Sequence, residues 1–187
     1  MTASEVAPRT SFPEAQGREK GYDKAAVDDL LARARASFEN GDSTMSSVDI
    51  RRAAFPLVKR GYSIASVDAA LGRIEDAFAA RERSTAVAQA GVQAWVGHTR
   101  DTAQEVLDRL SRPRKQRFQR VSALRYGYRI DEVDLVSDKL SRYLETGEAL
   151  TVEQVRAVAF RMQRGGYREA QVDAVLDAVV EIILAVR

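Results

Sequence analysis

Residues 61–68 read Gly61-Tyr62-Ser63-Ile64-Ala65-Ser66-Val67-Asp68, and repetition of this octet organises the chain. Its pattern of Gly-Tyr, four variable residues and Val-Asp occurs four times in the 187-residue chain. The copies are Gly21, Tyr22, Val27 and Asp28; Gly61, Tyr62, Val67 and Asp68; Gly127, Tyr128, Val133 and Asp134; and Gly166, Tyr167, Val172 and Asp173. Self-similarity of this kind is the signature of a repeated structural unit, so we expect these residues to have a structural role.

The four copies form two pairs, because a long gap separates the second copy from the third. A Phe precedes the Gly of the odd copies by nine residues, at Phe12 and Phe118, and that of the even copies by six, at Phe55 and Phe160. The pattern therefore predicts an internally duplicated pair of units. The predicted domains are residues 10–83 for the first pair, 84–109 for a connecting helix, and 110–187 for the second pair.

Apolar residues follow each octet at helical spacing, where a strand would show alternation. After the first two octets they are Val27, Leu30, Leu31, Ala34 and Phe38, then Val67, Leu71, Ile74 and Phe78. We expect the octet Gly to adopt a positive φ and turn the chain, and the residue after the Tyr to cap the next helix. The predicted fold class is all-α, built from tandem helix-turn-helix units.

Local signals give several helix boundaries. A long helix over Lys24–Asn40 is predicted to follow an Asp23 N-cap and to end at Gly41, as a later helix ends at Gly147. Capping boxes are predicted at Ser46 with Asp49 and at Thr151 with Gln154. Arg129 and Arg168 occupy the cap positions of the third and fourth copies, where a side-chain cap is missing. We expect the octet Asp to pair with Arg51 or Arg156 of the preceding helix.

The last predicted helix, residues 172–186, has a wide apolar stripe. Its members are Val175, Leu176, Val179, Val180, Ile182, Ile183 and Val186. Burial within one chain is the favoured interpretation, because broad apolar faces are commonly core. Homodimerisation through this face is the alternative.

Composition limits the class of protein. The chain is 45% hydrophobic and 30% charged, with a formal net charge of +2 and no Cys. No apolar run approaches the roughly 20 residues of a membrane span. The absence of Cys excludes disulfides and thiol chemistry, and the first twenty residues lack the apolar core of a signal peptide. The expected location is cytoplasmic.

The octet, with Ile50-Arg51 and Phe55 before it and Leu71 after it, resembles the N-terminal domain of DivIVA, the bacterial polar and septal scaffold. The whole chain looks like the small actinobacterial DivIVA domain-containing proteins. The resemblance implies a protein-interaction or scaffold module in cell division, polar growth or envelope assembly, with protein partners, self-association and placement at poles or septum. That family presents an aromatic followed by Arg before Gly-Tyr, whereas the pairs here are Glu19-Lys20, Lys59-Arg60, Arg125-Tyr126 and Arg164-Gly165. Membrane insertion is therefore not expected. Ordinary solvated surface is the favoured interpretation of the basic residues, and weak contact of Lys59, Arg60, Arg125 and Arg164 with anionic headgroups is the alternative.

Few residues suit catalysis. The single His, His98, has no acid or hydroxyl partner at a motif spacing, and Gly165-Gly166 lacks the Lys-Ser/Thr of a phosphate loop. We predict no enzyme activity, no cofactor and no metal site.

The most functional-looking segment is basic and contains no acid between residues 109 and 125. Its cations are Arg109, Arg112, Arg114, Lys115, Arg117, Arg120 and Arg125. Such a segment suits phosphates, and Phe118 could stack on a base, so a nucleic-acid-associated protein is the alternative function. A solvated linker with Phe118 in the core is the simpler interpretation, because the repeat already accounts for this Phe.

Overall fold

A computed structural model describes residues 12–186, so residues 10, 11 and 187 of the predicted domains, and most of the stretch used to judge a signal peptide, lie outside it. Within that range the chain is mostly helical, as the sequence predicts, with two short antiparallel strand pairs that the prediction lacked. The elements are β1 Lys20–Tyr22, α1 Lys24–Asn40, α2 Ser47–Arg51, β2 Leu57–Lys59, α3 Ile64–Ala90, α4 Val92–Leu110, β3 Tyr126–Tyr128, α5 Ile130–Thr146, α6 Val152–Arg156, β4 Met162–Arg164 and α7 Glu169–Val186.

The chain divides into two compact units, Met1–Glu82 and Arg83–Arg187, named unit 1 and unit 2. In unit 1, β1 pairs with β2; in unit 2, β3 pairs with β4, and α4 packs on α5 and α7. The segment 84–109, predicted as one connecting helix, comprises the end of α3 and most of α4. Gly91, with φ 85°, separates these helices and is the N-cap of α4.

The octet glycines differ from the prediction. None of Gly21, Gly61, Gly127 and Gly166 is among the residues with positive φ. Each lies instead where two backbone segments cross. A Cβ built on Gly61 would lie 2.4 Å from the carbonyl oxygen of Tyr22, and one on Gly21 would lie 2.3 Å from that of Tyr62. Glycine is needed here because the two chains approach too closely for any side chain, and not because the backbone turns.

Each unit forms its core from the helical stripes that the periodicity predicts. In unit 1 the buried side chains include Val27, Leu30, Ile50, Val67 and Phe78. In unit 2 they include Val133, Leu140 and Val155, together with Val175, Val179, Val180, Ile182 and Ile183 of α7. Most of the predicted α7 stripe is therefore core, and α4 and α6 pack against this helix, whereas its last member, Val186, is 66% exposed.

The predicted helix boundaries are confirmed where a local signal exists. α1 covers Lys24–Asn40, and its N-cap Asp23 accepts a hydrogen bond from the Ala26 N–H. Gly41 and Gly147 close α1 and α5 with φ of 68° and 71°, a left-handed conformation that favours glycine. Both capping boxes, Ser46 with Asp49 and Thr151 with Gln154, are complete.

The missing cap of α5 gives a testable difference. Arg129 is the N-cap of α5 and makes no side-chain cap hydrogen bond. Arg129→Ser is expected to stabilise the protein by about 1 kcal/mol, because serine accepts from a free N–H of the first turn. Asp23→Ala removes the existing cap of α1 and is expected to cost about the same amount. Urea unfolding of the two variants measures both changes, and changes of equal sign would contradict the prediction.

Candidate functional site

The four octets contact one another in pairs within each unit. In unit 1 the Tyr22 N–H donates to the Tyr62 carbonyl at 3.0 Å, and the Tyr62 N–H donates to the Tyr22 carbonyl at 2.9 Å. In unit 2 the same reciprocal bonds join Tyr128 and Tyr167, both at 2.9 Å. The paired copies therefore cross at their Gly-Tyr dipeptides, which explains why the Gly and Tyr occur together.

The Tyr side chain of each octet also contacts the Asp side chain of the paired octet. The Tyr62 hydroxyl donates to Asp28 at 3.3 Å, and the Tyr22 hydroxyl is hydrogen-bonded to Asp68. In unit 2 the Tyr167 hydroxyl donates to Asp134 at 3.1 Å, and Tyr128 is hydrogen-bonded to Asp173. Each octet Tyr thus reaches the Asp of the other copy in its pair.

The predicted pairing of the octet Asp with Arg51 or Arg156 is not found among the described residues, because Asp68 and Asp173, the octet acids that follow these arginines, are hydrogen-bonded to Tyr22 and Tyr128. Arg51 pairs instead with Glu75 of α3, with 2.7 Å between Nε and Oε1 and both side chains buried. Asp134 has a further structural role, because its carboxylate also accepts the Lys115 N–H at 2.7 Å. A residue just inside a helix thus stabilises a loop far away in the sequence.

The flanking phenylalanines complete this arrangement. Phe12 and Phe118 contact Tyr62 and Tyr167 edge to face, each with 5.3 Å between ring centroids. Phe55 and Phe160 contact Tyr22 and Tyr128 at 5.1 Å. Every octet Tyr therefore has its own Phe, and the odd and even spacings in the sequence reflect which Tyr each Phe meets.

The tyrosine environment gives a pH dependence. Burial, and then the charge of Asp173, raises the pKa of Tyr128 to about 12, and burial, and then Asp134, does the same for Tyr167. An unfolded tyrosine ionises near pH 10, so the folded state binds more protons between about pH 10 and 12. This contribution to stability is complete below about pH 10 and is lost as pH rises towards 12.

We therefore expect the free energy of unfolding to fall steeply above about pH 10. The double variant Tyr128→Phe with Tyr167→Phe removes both ionising groups, so its free energy of unfolding is expected to fall less over the same range. Urea unfolding at several pH values between 9 and 12 compares the two slopes. Equal slopes would show that these tyrosines do not control the alkaline loss of stability.

The basic segment at 109–125 is partly used by the fold. Arg117 is buried, donates to the Asp134 carbonyl at 2.7 Å and forms an ion pair with Asp138, which Arg114 also contacts. Burial alone would raise the pKa of the Asp138 carboxyl, but hydrogen bonds from Arg117 and Arg114 hold it below its usual range. Phe118 is core, as the simpler interpretation predicts. The side chains of Arg112, Lys115, Arg120 and Arg125 are exposed, and that of Arg109 is half-buried.

The basic residues next to the octets lie at the strand pairs. Lys59 pairs with Lys20 across β1 and β2, and Arg60 follows with φ 57°. In unit 2 the Arg164 guanidinium lies 5.6 Å from the Tyr126 ring centroid, and Tyr126 is 56% exposed. His98 is exposed on α4.

An apolar groove in unit 1 is the feature that the sequence did not predict. It has a volume of about 310 Å³ and lies between α1 and α3. Its lining residues are Leu31, Ala34, Arg35, Phe38, Glu39, Ile74, Ala77 and Phe78. Phe38 belongs to the predicted core stripe of α1, yet 43% of it is exposed. The stripe itself was the available signal, but periodicity does not say whether a neighbour covers its end.

Arg81 holds one end of this groove in place. Its guanidinium carbon lies 5.0 Å from the Phe38 ring centroid and 4.8 Å from that of Phe78. It also donates to the carbonyls of Ser37, Phe38 and Asp42, so it closes the C-terminal end of α1. Hydrogen bonds from Thr44, and then from Ser37, lower the pKa of Asp42 to about 2. The groove is thus a fixed surface with an aromatic floor.

Comparison with protein-family models, curated proteins and solved structures found no match. In residues 12–186 no helix has both the length and the apolar character to cross a membrane. In the same range no three His, Asp or Glu side chains are grouped so that they could hold a metal ion.

Proposed function

We propose that this chain is a non-enzymatic protein-interaction or scaffold module of DivIVA type, built from an internally duplicated pair of units. The observation that carries this proposal is the open apolar groove of unit 1, where Phe38 is 43% exposed on a surface fixed by Arg81. Exposed apolar surface of this kind is typical of a docking site for another macromolecule.

The duplication is supported by the order of elements. In unit 1, β1, α1, α2 and β2 precede α3, and in unit 2, β3, α5, α6 and β4 precede α7. The octets cross in the same way in both units, with the same exchange of Tyr and Asp partners. One ancestral pair of octets, copied once, accounts for all of these correspondences.

The non-enzymatic part of the proposal is supported by how buried charges are used. Glu75 neutralises Arg51, while Asp134 accepts bonds from Tyr167 and Lys115. Arg117 binds backbone carbonyls and Asp138. These groups stabilise loops and helix contacts, so their burial has a structural cause.

The resemblance to DivIVA supplies the cellular role, in cell division, polar growth or envelope assembly. A fluorescent fusion imaged in the native cell tests it, and we expect foci at the poles or septum. A diffuse signal would overturn the proposed role. The Gly61→Ala variant, which is expected to disrupt unit 1, is the control: its foci should disappear at equal expression.

The alternative function, binding of nucleic acid by the basic segment, has weaker support, because Arg114 and Arg117 are already engaged with Asp138. Exposed Arg112, Lys115, Arg120 and Arg125 remain for phosphates. If they bind DNA or RNA, affinity must fall steeply as salt rises, since counterions are released from the phosphates. We expect no such salt-dependent binding in fluorescence anisotropy titrations at low and moderate salt. A steep decrease would favour the alternative.

A further inference from the structure

The groove of unit 1 has a counterpart in unit 2 that α4 covers in part, leaving a cavity of about 580 Å³ beside Trp95, Leu144 and Ile182. Phe38 lies ten residues after Asp28, as Leu144 lies ten residues after Asp134. By the same counting from the octets, Ala34 corresponds to Leu140 and Ala77 to Ile182. In unit 2 the helix α4 lies on this face, because it packs on both α5 and α7.

The contacts of α4 show what kind of element this face accepts. Val106 and Leu110 of α4 are buried, with 6% and 0% exposure. Trp95 lies against the end of α7, where its indole N–H donates to the Ala185 carbonyl at 3.4 Å. Ala103 and Thr99, both small, line the cavity that remains between these contacts. The occupant of the unit 2 face is therefore an amphipathic helix with large residues at its ends and small ones between.

Side chains on the unit 2 face, beneath α4, are less exposed than their counterparts on the unit 1 face. Under α4, Leu140 and Ile182 are 3% and 5% exposed. In unit 1 the corresponding Ala77 is exposed, and Phe38 is 43% exposed. Ala34 and its counterpart Leu140 are equally buried, at 2% and 3%, so the difference between the two faces lies at Ala77 and Phe38.

We propose that the α1–α3 groove of unit 1 binds an amphipathic helix of a partner protein, in the position that α4 occupies on unit 2. The partner helix has an apolar face like that of α4, with a large residue set against Phe38 and Phe78 and small residues over Ile74. Helix-in-groove recognition through anchors spaced three or four residues apart is a known mode of partner binding. This inference rests on the proposed interaction function and on the proposed duplication.

The test uses the full chain and a fluorescein-labelled synthetic peptide with the sequence of residues 92–110, which is α4 itself. We expect saturable binding in fluorescence anisotropy. Ala77→Arg, which places a long charged side chain in the groove, is expected to weaken binding at least about tenfold. Ala65→Arg is the matched control, because Ala65 is exposed on the same helix and does not line the groove; it should bind as the wild type does.

Because Ala77→Arg alters the surface that is being tested, thermal unfolding of both variants should show that they remain folded. Methyl NMR of the wild type gives an independent reading, in which Leu31, Ile74 and Ala77 shift on addition of the peptide. A peptide with the same composition but no apolar face should give neither effect.

Three results would overturn the inference. The first is no saturable binding of the peptide. The second is equal binding by both variants, which would mean that the peptide exchanges with α4 on unit 2. The third is a concentration-dependent dimer, seen by sedimentation, that Ala77→Arg abolishes while the peptide fails to bind, since the occupant would then be a second copy. Foci in cells without peptide binding would refute this inference alone, whereas peptide binding with a diffuse fusion would refute only the proposed cellular role.

Discussion

Gly61→Ala is expected to destabilise unit 1 by at least about 3 kcal/mol, a large part of the stability of a small domain. The added Cβ would lie 2.4 Å from the Tyr22 carbonyl oxygen and 2.5 Å from the backbone of Gly21. Both obstacles are backbone atoms, so no rotamer change can relieve the clash. The chains must separate, and the reciprocal hydrogen bonds between Tyr22 and Tyr62 are lost with them.

Gly97→Ala is the control for this substitution. Gly97 lies inside α4, and a Cβ built on it meets nothing within 4 Å. Alanine there is expected to stabilise the helix by about 0.5–1 kcal/mol, because it lowers the entropy of the unfolded chain. Thermal unfolding followed by circular dichroism measures both variants. If Gly61→Ala unfolds at the same temperature as Gly97→Ala, the crossing of the octets does not require glycine.

The second large effect is expected at the buried ion pair of unit 1. Arg51 and Glu75 are 8% and 3% exposed at their side chains, and their charged atoms lie 2.7 Å apart. Arg51→Met leaves the Glu75 carboxylate buried without this partner, which is expected to cost about 3–5 kcal/mol. The free energy of unfolding in urea measures the loss.

A double variant shows whether the cost comes from the buried charge of Glu75. Unit 2 has Val180, which is 2% exposed, at the position that corresponds to Glu75, and Arg156 at that of Arg51, so it shows only that valine fits at the Glu75 position. Adding Glu75→Val to Arg51→Met is therefore expected to recover most of the lost stability, because an apolar pair replaces the ionic one. Arg33→Met, which breaks the exposed pair with Asp29, should leave the unfolding curve unchanged. A double variant as unstable as Arg51→Met alone would contradict this explanation.

Local signals in the sequence predicted the helices and most of their ends. Asp23, Ser46 and Thr151 act as N-caps, and Gly41 and Gly147 close their helices. A cap depends on hydrogen bonds to N–H groups two or three residues away, so the necessary information lies within one helical turn. The octet glycines were assigned correctly as structural but for the wrong reason, because the carbonyl that excludes their side chain is distant in the sequence.

The candidate site was harder to predict. The basic segment was a candidate phosphate site because it contains no acid. In the folded chain, however, Asp134 of α5 accepts a hydrogen bond from the Lys115 N–H, and Asp138 pairs with Arg114 and Arg117. The groove was missed because its most exposed member, Phe38, belongs to a regular core stripe. Nothing within α1 distinguishes it from the buried Leu30 and Ala34.

Periodicity and capping act over a few residues, so the sequence alone indicates most of the helices, which residues share a face and which residues the octets repeat. The pairing of each Tyr with an Asp, the need for Gly in the octet and the open apolar face follow from the folded chain. These outcomes depend on atoms from segments far apart in the chain. An apolar stripe on a helix indicates that another element packs against it, but it does not indicate which one. In unit 2 that element is α4, and in unit 1 no described helix takes this position.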